Sequence, residues 1–82
     1  MNRDLRELLE EYECVLVDGF DSCISGVVWR SDQPVVIYSK ERIIKFLMKR
    51  DGMSFEEATD FFHYNIEGSY VGEKTPLYME EF

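Results

Sequence analysis

The sequence predicts an α+β fold: a small antiparallel sheet of three to four strands, with an N-terminal helix and a helical hairpin packed on one face. Three observations carry that expectation. Leucines recur at helical spacing near the amino terminus, short β-branched runs separated by turn residues fill the middle, and two serine-capped amphipathic segments follow. The chain has 82 residues, which suits a single domain (1–82) with a core near the lower limit for independent folding. At 45% hydrophobic and 15% aromatic, it is far too apolar for a disordered polypeptide. A core this small gains from a second copy, so a homo-oligomer is expected.

Asn2 to about Tyr12 sets Leu5, Leu8, Leu9 and Tyr12 on one stripe with charges between them, an amphipathic helix capped by Asn2. Asp4 and Glu7 suit the positive end of its dipole. "CVLV", Cys14 to Val17, reads as a short buried strand. Asp18-Gly19 is the strongest turn dipeptide and leads into a second strand, Cys23 to Arg30, in which Gly26 marks a bulge or a close backbone approach. Ser31 to Pro34 is turn chemistry, and "VVIY", Val35 to Tyr38, is a third strand. Short links between the three imply an antiparallel meander.

Ser39 then caps a helix from Lys40 to about Asp51, closed by Gly52 as a left-handed residue. Ser54 and Glu57 have the spacing of a capping box and open a third helix. Its apolar stripe is Phe55, Ala58, Phe61, Phe62 and Ile66, and Gly68 stops it. "PLYM", Pro76 to Met79, adds an edge strand with Pro76 at its start.

The net charge of −8 is unevenly spread. Met1 to Ser39 has three basic and eight acidic residues; Lys40 to Arg50 has five basic residues against Glu41; Asp51 to Phe82 has Lys74 against eight acids. One basic element thus sits inside an acidic protein. Repulsion from a nucleic-acid backbone dominates long-range encounters, so no direct nucleic-acid partner is expected. No apolar run is long enough to span a bilayer, and no membrane partner is expected. Two cysteines, Cys14 and Cys23, without a signal-like segment point to a reduced, cytoplasmic setting.

The residue inventory points away from catalysis. His63 is the only histidine and falls among polar positions of the third helix, where a solvated surface role is the plain reading. Cys14 and Cys23 read as small core hydrophobes. One histidine and two separated cysteines make no zinc pattern, no Gly-rich phosphate loop is present, and no cofactor or metal is expected.

Two surfaces carry binding chemistry. Arg42, Lys45 and Lys49 share one helical stripe opposite Ile43, Ile44, Phe46 and Leu47. The plain reading is a solvent face; the functional one is an anion site for a phosphorylated ligand or an acidic partner, shared across a dimer axis. The second surface is "EGSYVGEKTPLY", Glu67 to Tyr78. Gly68 and Gly72 permit positive φ, and Pro76 forces Thr75 into an extended conformation. Tyr70 and Tyr78 add rings with hydroxyls, a combination suited to a planar base or a partner's backbone. The acidic remainder serves solubility or, if its carboxylates line one face, mimicry of nucleic acid. Glu7, Glu10 and Glu11 on the first helix and Glu56, Glu57, Asp60 and Glu67 on the third are arranged in that way.

Two segments carry a resemblance: "VDGFDSCISGV", Val17 to Val27, and "LMKRDGMSFEEATDFFHYNIEGSYVGEKTP", Leu47 to Pro76. The chain resembles a family of small acidic proteins of tailed phages and viral metagenomes. Its matching positions are Asp18, Gly19, Asp21 and Gly26, then Asp51, Gly52, Met53, Glu57, Ala58, Asn65, Gly68, Tyr70, Gly72, Glu73, Thr75 and Pro76. Cys23 departs from the small apolar residue of the pattern, and "LYMEEF" is an acidic tail. The resemblance implies a phage protein that acts by binding in the host cytoplasm. Asn65, Tyr70, Glu73 and Thr75 have no structural role derivable from sequence, and with Arg42, Lys45 and Lys49 they form the expected ligand-binding set. The expected ligand is a nucleotide-type host immune signal, sequestered by the protein; the alternative is an acidic protein–protein inhibitor, or DNA mimic, of a host nuclease or polymerase.

Overall fold

The computed structural model describes residues 3–69 and 72–81. The expected cap Asn2 and the candidate ligand residue Tyr70 lie outside the described residues. The observed class is α+β, with three helices and a three-stranded sheet.

Helix α1 spans Arg3–Glu11. It ends in a Schellman arrangement: the Cys14 amide donates to the Leu9 carbonyl at 3.0 Å and the Glu13 amide to the Glu10 carbonyl at 3.2 Å, with Glu13 at φ 51. This stop redirects Cys14 to Val17, which corrects the expected first strand. That segment pairs with no strand. It is held by two side-chain bonds instead, from Cys14 Sγ to the Pro34 carbonyl at 3.4 Å and from the Val17 amide to Tyr38 Oη at 2.8 Å. Cys14 and Val17 pack against the core, and Leu16 is exposed.

Asp18-Gly19 turns as expected, with Gly19 at φ 88 and the Phe20 amide donating to the Val17 carbonyl. A short 3₁₀ turn, Asp21–Cys23, leads into strand β1, Ile24–Arg30. Strand β2, Gln33–Ser39, pairs antiparallel with β1 across the two-residue loop Ser31-Asp32, so it takes in Gln33 and Pro34 that the sequence assigns to the turn. The ladder shifts between Ile24 and Gly26, a bulge that lets Ile24 and Val27 both reach the core.

Helix α2 spans Lys40–Asp51. Ser39 Oγ accepts from the Arg42 amide, and Gly52 closes it at φ 68. Helix α3, Phe55–Phe61, opens on the expected capping box between Ser54 and Glu57. Phe55 lies at its solvent-exposed start, 65% accessible, so it does not join the buried stripe. The helix continues as a π-helical segment, Phe62–Glu67. Asn65 Nδ2 donates to the Phe61 carbonyl, the acceptor that an α-helix would offer to the Asn65 amide. Gly68 follows at φ −72 rather than in a left-handed conformation, and what suits glycine to the position is space, since a Cβ there would sit 3.2 Å from the His63 carbonyl.

Strand β3, Leu77–Met79, joins the free edge of β2, giving the order β1-β2-β3. It runs parallel to β2, with Ile37 opposite Leu77 and Ser39 opposite Met79. The sheet is therefore mixed, correcting the all-antiparallel arrangement expected from sequence. After the helical hairpin the chain returns to the start of β2's second half, and a crossover of that kind delivers a parallel strand.

One face of the sheet meets the helices. Val36 and Tyr38 join Leu9, Phe20, Ile43, Leu47, Ala58, Phe62 and Ile66 in a single core. Tyr78 stacks on Tyr38 and meets Phe62 edge-on, with centroids 5.9 and 5.2 Å away. By strand alternation Val28, Val35, Ile37, Leu77 and Met79 project to the other face, outside that cluster; Val35 is nonetheless buried, and Leu77 and Met79 are exposed.

Candidate functional site

Helix α2 carries its cations outward as the 3.6-residue spacing requires: Arg42, Lys45 and Lys49 are exposed while Ile43, Ile44 and Leu47 are buried. Much of the element's positive charge is already engaged. Lys45 pairs with Glu41 one turn away at 2.9 Å, and Lys40 pairs with Glu80 at 2.9 Å while its Nζ lies 5.7 Å over the Phe62 ring. Arg50 binds Asp51 with two nitrogens, at 2.9 and 2.8 Å, and covers the rings of Phe20 and Phe46. The guanidinium holds the Asp51 carboxyl below the usual range.

Among the described residues, one groove lies on the sheet and another on the helical side. The first, about 700 Å³, is lined by Arg30, Gln33, Val35, Glu73, Thr75 and Leu77, among others. Thr75 is oriented there by its own turn: its Oγ1 and its amide both donate to the Gly72 carbonyl, at 2.6 and 3.2 Å, with Gly72 at φ 104. Lys74, beside it, reaches the other way and donates to the Tyr12 carbonyl at 2.8 Å, fastening the segment to the end of α1. The second groove, about 530 Å³, lies between α2 and the start of α3. Its floor is Ile44, Met48 and Phe55, and its rim is Lys40, Lys45, Glu41, Glu80 and Glu81.

The structure thus brings Glu73 and Thr75 together in one groove and places Lys45 in the other. Arg42 and Lys49 line neither, and Asn65 is exposed on the π-helical segment, where it serves its own helix. In each groove acids outnumber bases: Asp32 and Glu73 against Arg30 in the first, Glu41, Glu80 and Glu81 against Lys40 and Lys45 in the second. Arg30 and Gln33 were not singled out by sequence. Gln33 enters the first groove because β2 begins two residues earlier than its apolar run, and Arg30 because it pairs with Gln33 across the hairpin; no spacing rule marks either.

The nucleophile candidates are subdued. Burial pushes both thiols up, more than Lys74 beside Cys14 or Ser22 beside Cys23 offsets, so the reactive thiolate is disfavoured. His63 is exposed and its Nδ1 contacts Glu67 Oε1 at 2.7 Å. Among the described residues no three histidine, cysteine or carboxylate side chains gather into a metal-holding group, and no described helix is long and apolar enough to cross a membrane.

The carboxylates are spread outward. Glu7, Glu10 and Glu11 are exposed on α1, and Glu56, Glu57, Asp60 and Glu67 on α3 and its π-helical extension. Large exposed rings sit among them: Phe55 at the start of α3 and Tyr64, 83% accessible, on the π-helical segment. Compared with protein-family models, with curated proteins and with solved structures, the chain matches none.

Proposed function

We propose that this chain is a non-enzymatic acidic binding protein that occupies the basic surface of a protein partner, in the manner of a nucleic-acid mimic. The observation that carries this reading is the predominance of carboxylates on the helical surface. Glu7, Glu10 and Glu11 on α1 and Glu56, Glu57 and Asp60 on α3 stand exposed, and Lys40, Lys45 and Arg50 of α2 each contact a carboxylate of the same chain. Such a surface attracts cationic proteins by long-range steering, and exposed Tyr64 and Phe55 add apolar contacts that charge alone lacks. The resemblance to tailed-phage proteins supports a host nuclease or polymerase as the target, counter-defence as the purpose and the host cytoplasm as the place. The test is binding to a panel of nucleases and polymerases, with duplex DNA as competitor. The expected result is salt-sensitive binding that DNA displaces and that weakens about tenfold or more in a Glu56→Lys/Asp60→Lys variant. Binding to no panel member, or binding indifferent to both DNA and charge reversal, would falsify the reading.

A second reading rests on the groove of about 700 Å³ holding Arg30, Gln33, Glu73 and Thr75, whose volume suits a nucleotide. There the protein sequesters a nucleotide-type immune signal, with Arg30 for a phosphate and Gln33 and Thr75 for polar contacts. Calorimetry against cyclic and ADP-ribose-derived nucleotides decides this one; heat with none of them removes it.

A further inference from the structure

We infer that the outer face of the sheet is the contact between two copies of this chain. The helices cover only one side of the sheet, because α1, α2 and α3 all deliver their apolar residues to the core that contains Val36 and Tyr38. The opposite side is also apolar. Val28, Ile37, Leu77 and Met79 point there, Val28 and Ile37 half-buried and Leu77 and Met79 each 39% accessible, while Val35 on the same side is already buried. An outer sheet face in a monomer normally alternates to polar side chains; this one does so at its ends, with Arg30 and Gln33 at one and Ser39 at the other, and is apolar between them.

Charge and area identify a second copy as the occupant. The chain carries −8, so two copies repel each other wherever carboxylates face one another. On this face the strands contribute one charged side chain, Arg30, with Asp32 and Glu73 at the same end, and Glu81 reaches the other end by accepting from Ser39 Oγ. The face is therefore where self-association meets least repulsion, while a strongly basic partner would be drawn to the acidic helices instead.

The molecule also exposes more surface than its mass requires. Its accessible surface is 5700 Å², against about 5,100 Å² for a compact monomer of this mass. Its radius of gyration is 12.9 Å, where about 11.7 Å is usual for this length. The excess, roughly 600 Å², belongs to the whole elongated molecule, 39 × 25 × 25 Å, and is of the order of one partner's share of a standard interface, about 800 Å². Face-to-face packing of the two sheets would bury Val28, Ile37, Leu77 and Met79 and turn a two-layer subunit into a four-layer dimer.

Sedimentation equilibrium of the full chain tests this. The expected result is a particle of twice 9.7 kDa that dissociates on dilution. A Leu77→Lys or Met79→Lys variant is expected to be a monomer of unchanged circular dichroism, while Phe55→Lys, on the helical side, remains a dimer. Because a lysine in β3 can also unfold the edge strand, hydroxyl-radical labelling of the unmodified protein gives a second readout. Protection of Met79 and Leu77 should rise with protein concentration while Phe55 stays constant. A monomer at every concentration overturns the proposal. So does a dimer that survives both β3 substitutions, one that Phe55→Lys abolishes, or protection that rises at Phe55 and not at Met79.

Discussion

Glu13 holds φ 51 at the end of α1, a left-handed position that glycine occupies without strain and other residues occupy at a cost of about 1 kcal/mol. Its negative charge also lies at the unfavourable end of the helix dipole. Glu13→Gly is therefore expected to raise the unfolding free energy by about 1 kcal/mol, seen as a higher urea midpoint with unchanged slope. An unchanged or lower midpoint would show that the glutamate has an attractive partner outweighing its strain. Tyr78 is the second informative residue. Burial, then the neighbouring Tyr38 and Glu67, push its hydroxyl from 10.0 up to about 12. The fold favours the neutral ring, so this contribution to stability is whole below pH 10 and is lost as pH rises through about 12. Ultraviolet titration should find Tyr78 ionising together with alkaline unfolding, and Tyr78→Phe should unfold at higher pH.

At the scale of elements, the capping box of α3 couples stability to acid. The Ser54 backbone amide and hydroxyl hold the Glu57 carboxyl below its ordinary range, so its contribution is present at neutral pH and disappears as pH falls through the lowered value. Glu57→Gln should lose less stability on acidification than the unmodified chain, measured by urea unfolding at descending pH; equal losses would remove the cap from the account. This helix, like α2, was legible because its signals are local. Ser39, Gly52, Ser54 and Glu57 each act within four residues of where they stand. What sequence reading missed is decided by distant partners. Cys14 to Val17 has the composition of a strand, yet its hydrogen bonds go to Pro34 and to the Tyr38 hydroxyl. The direction of β3 depends on which edge of β2 its three residues meet, and three residues hold no record of that. The candidate site divides in the same way. The outward stripe of Arg42, Lys45 and Lys49 follows from periodicity, whereas the association of Thr75 and Glu73 with Arg30 follows from tertiary packing alone.

For the molecule as a whole, a charge of −8 on 82 residues opposes the compact state. Added salt should raise the melting temperature at fixed protein concentration, since screening weakens repulsion among exposed carboxylates more than the few ion pairs it loosens. A falling melting temperature would mean that pairs such as Lys40–Glu80 outweigh the repulsion. The parallel strand sets a different kind of limit, one of time. Ile37 and Leu77 are paired across forty positions of chain, while β1 meets β2 across a two-residue loop. Closing the larger loop costs more entropy before any contact rewards it. Hairpin and helices are thus expected to assemble first, with β3 arriving last. Pulse-labelled hydrogen exchange should show the amides of Leu77 to Met79 protected later than those of Val27 to Trp29; simultaneous protection would contradict that order. Until β3 docks, half of the central strand has an open edge, and a newly made chain is most vulnerable to wrong pairing during that interval.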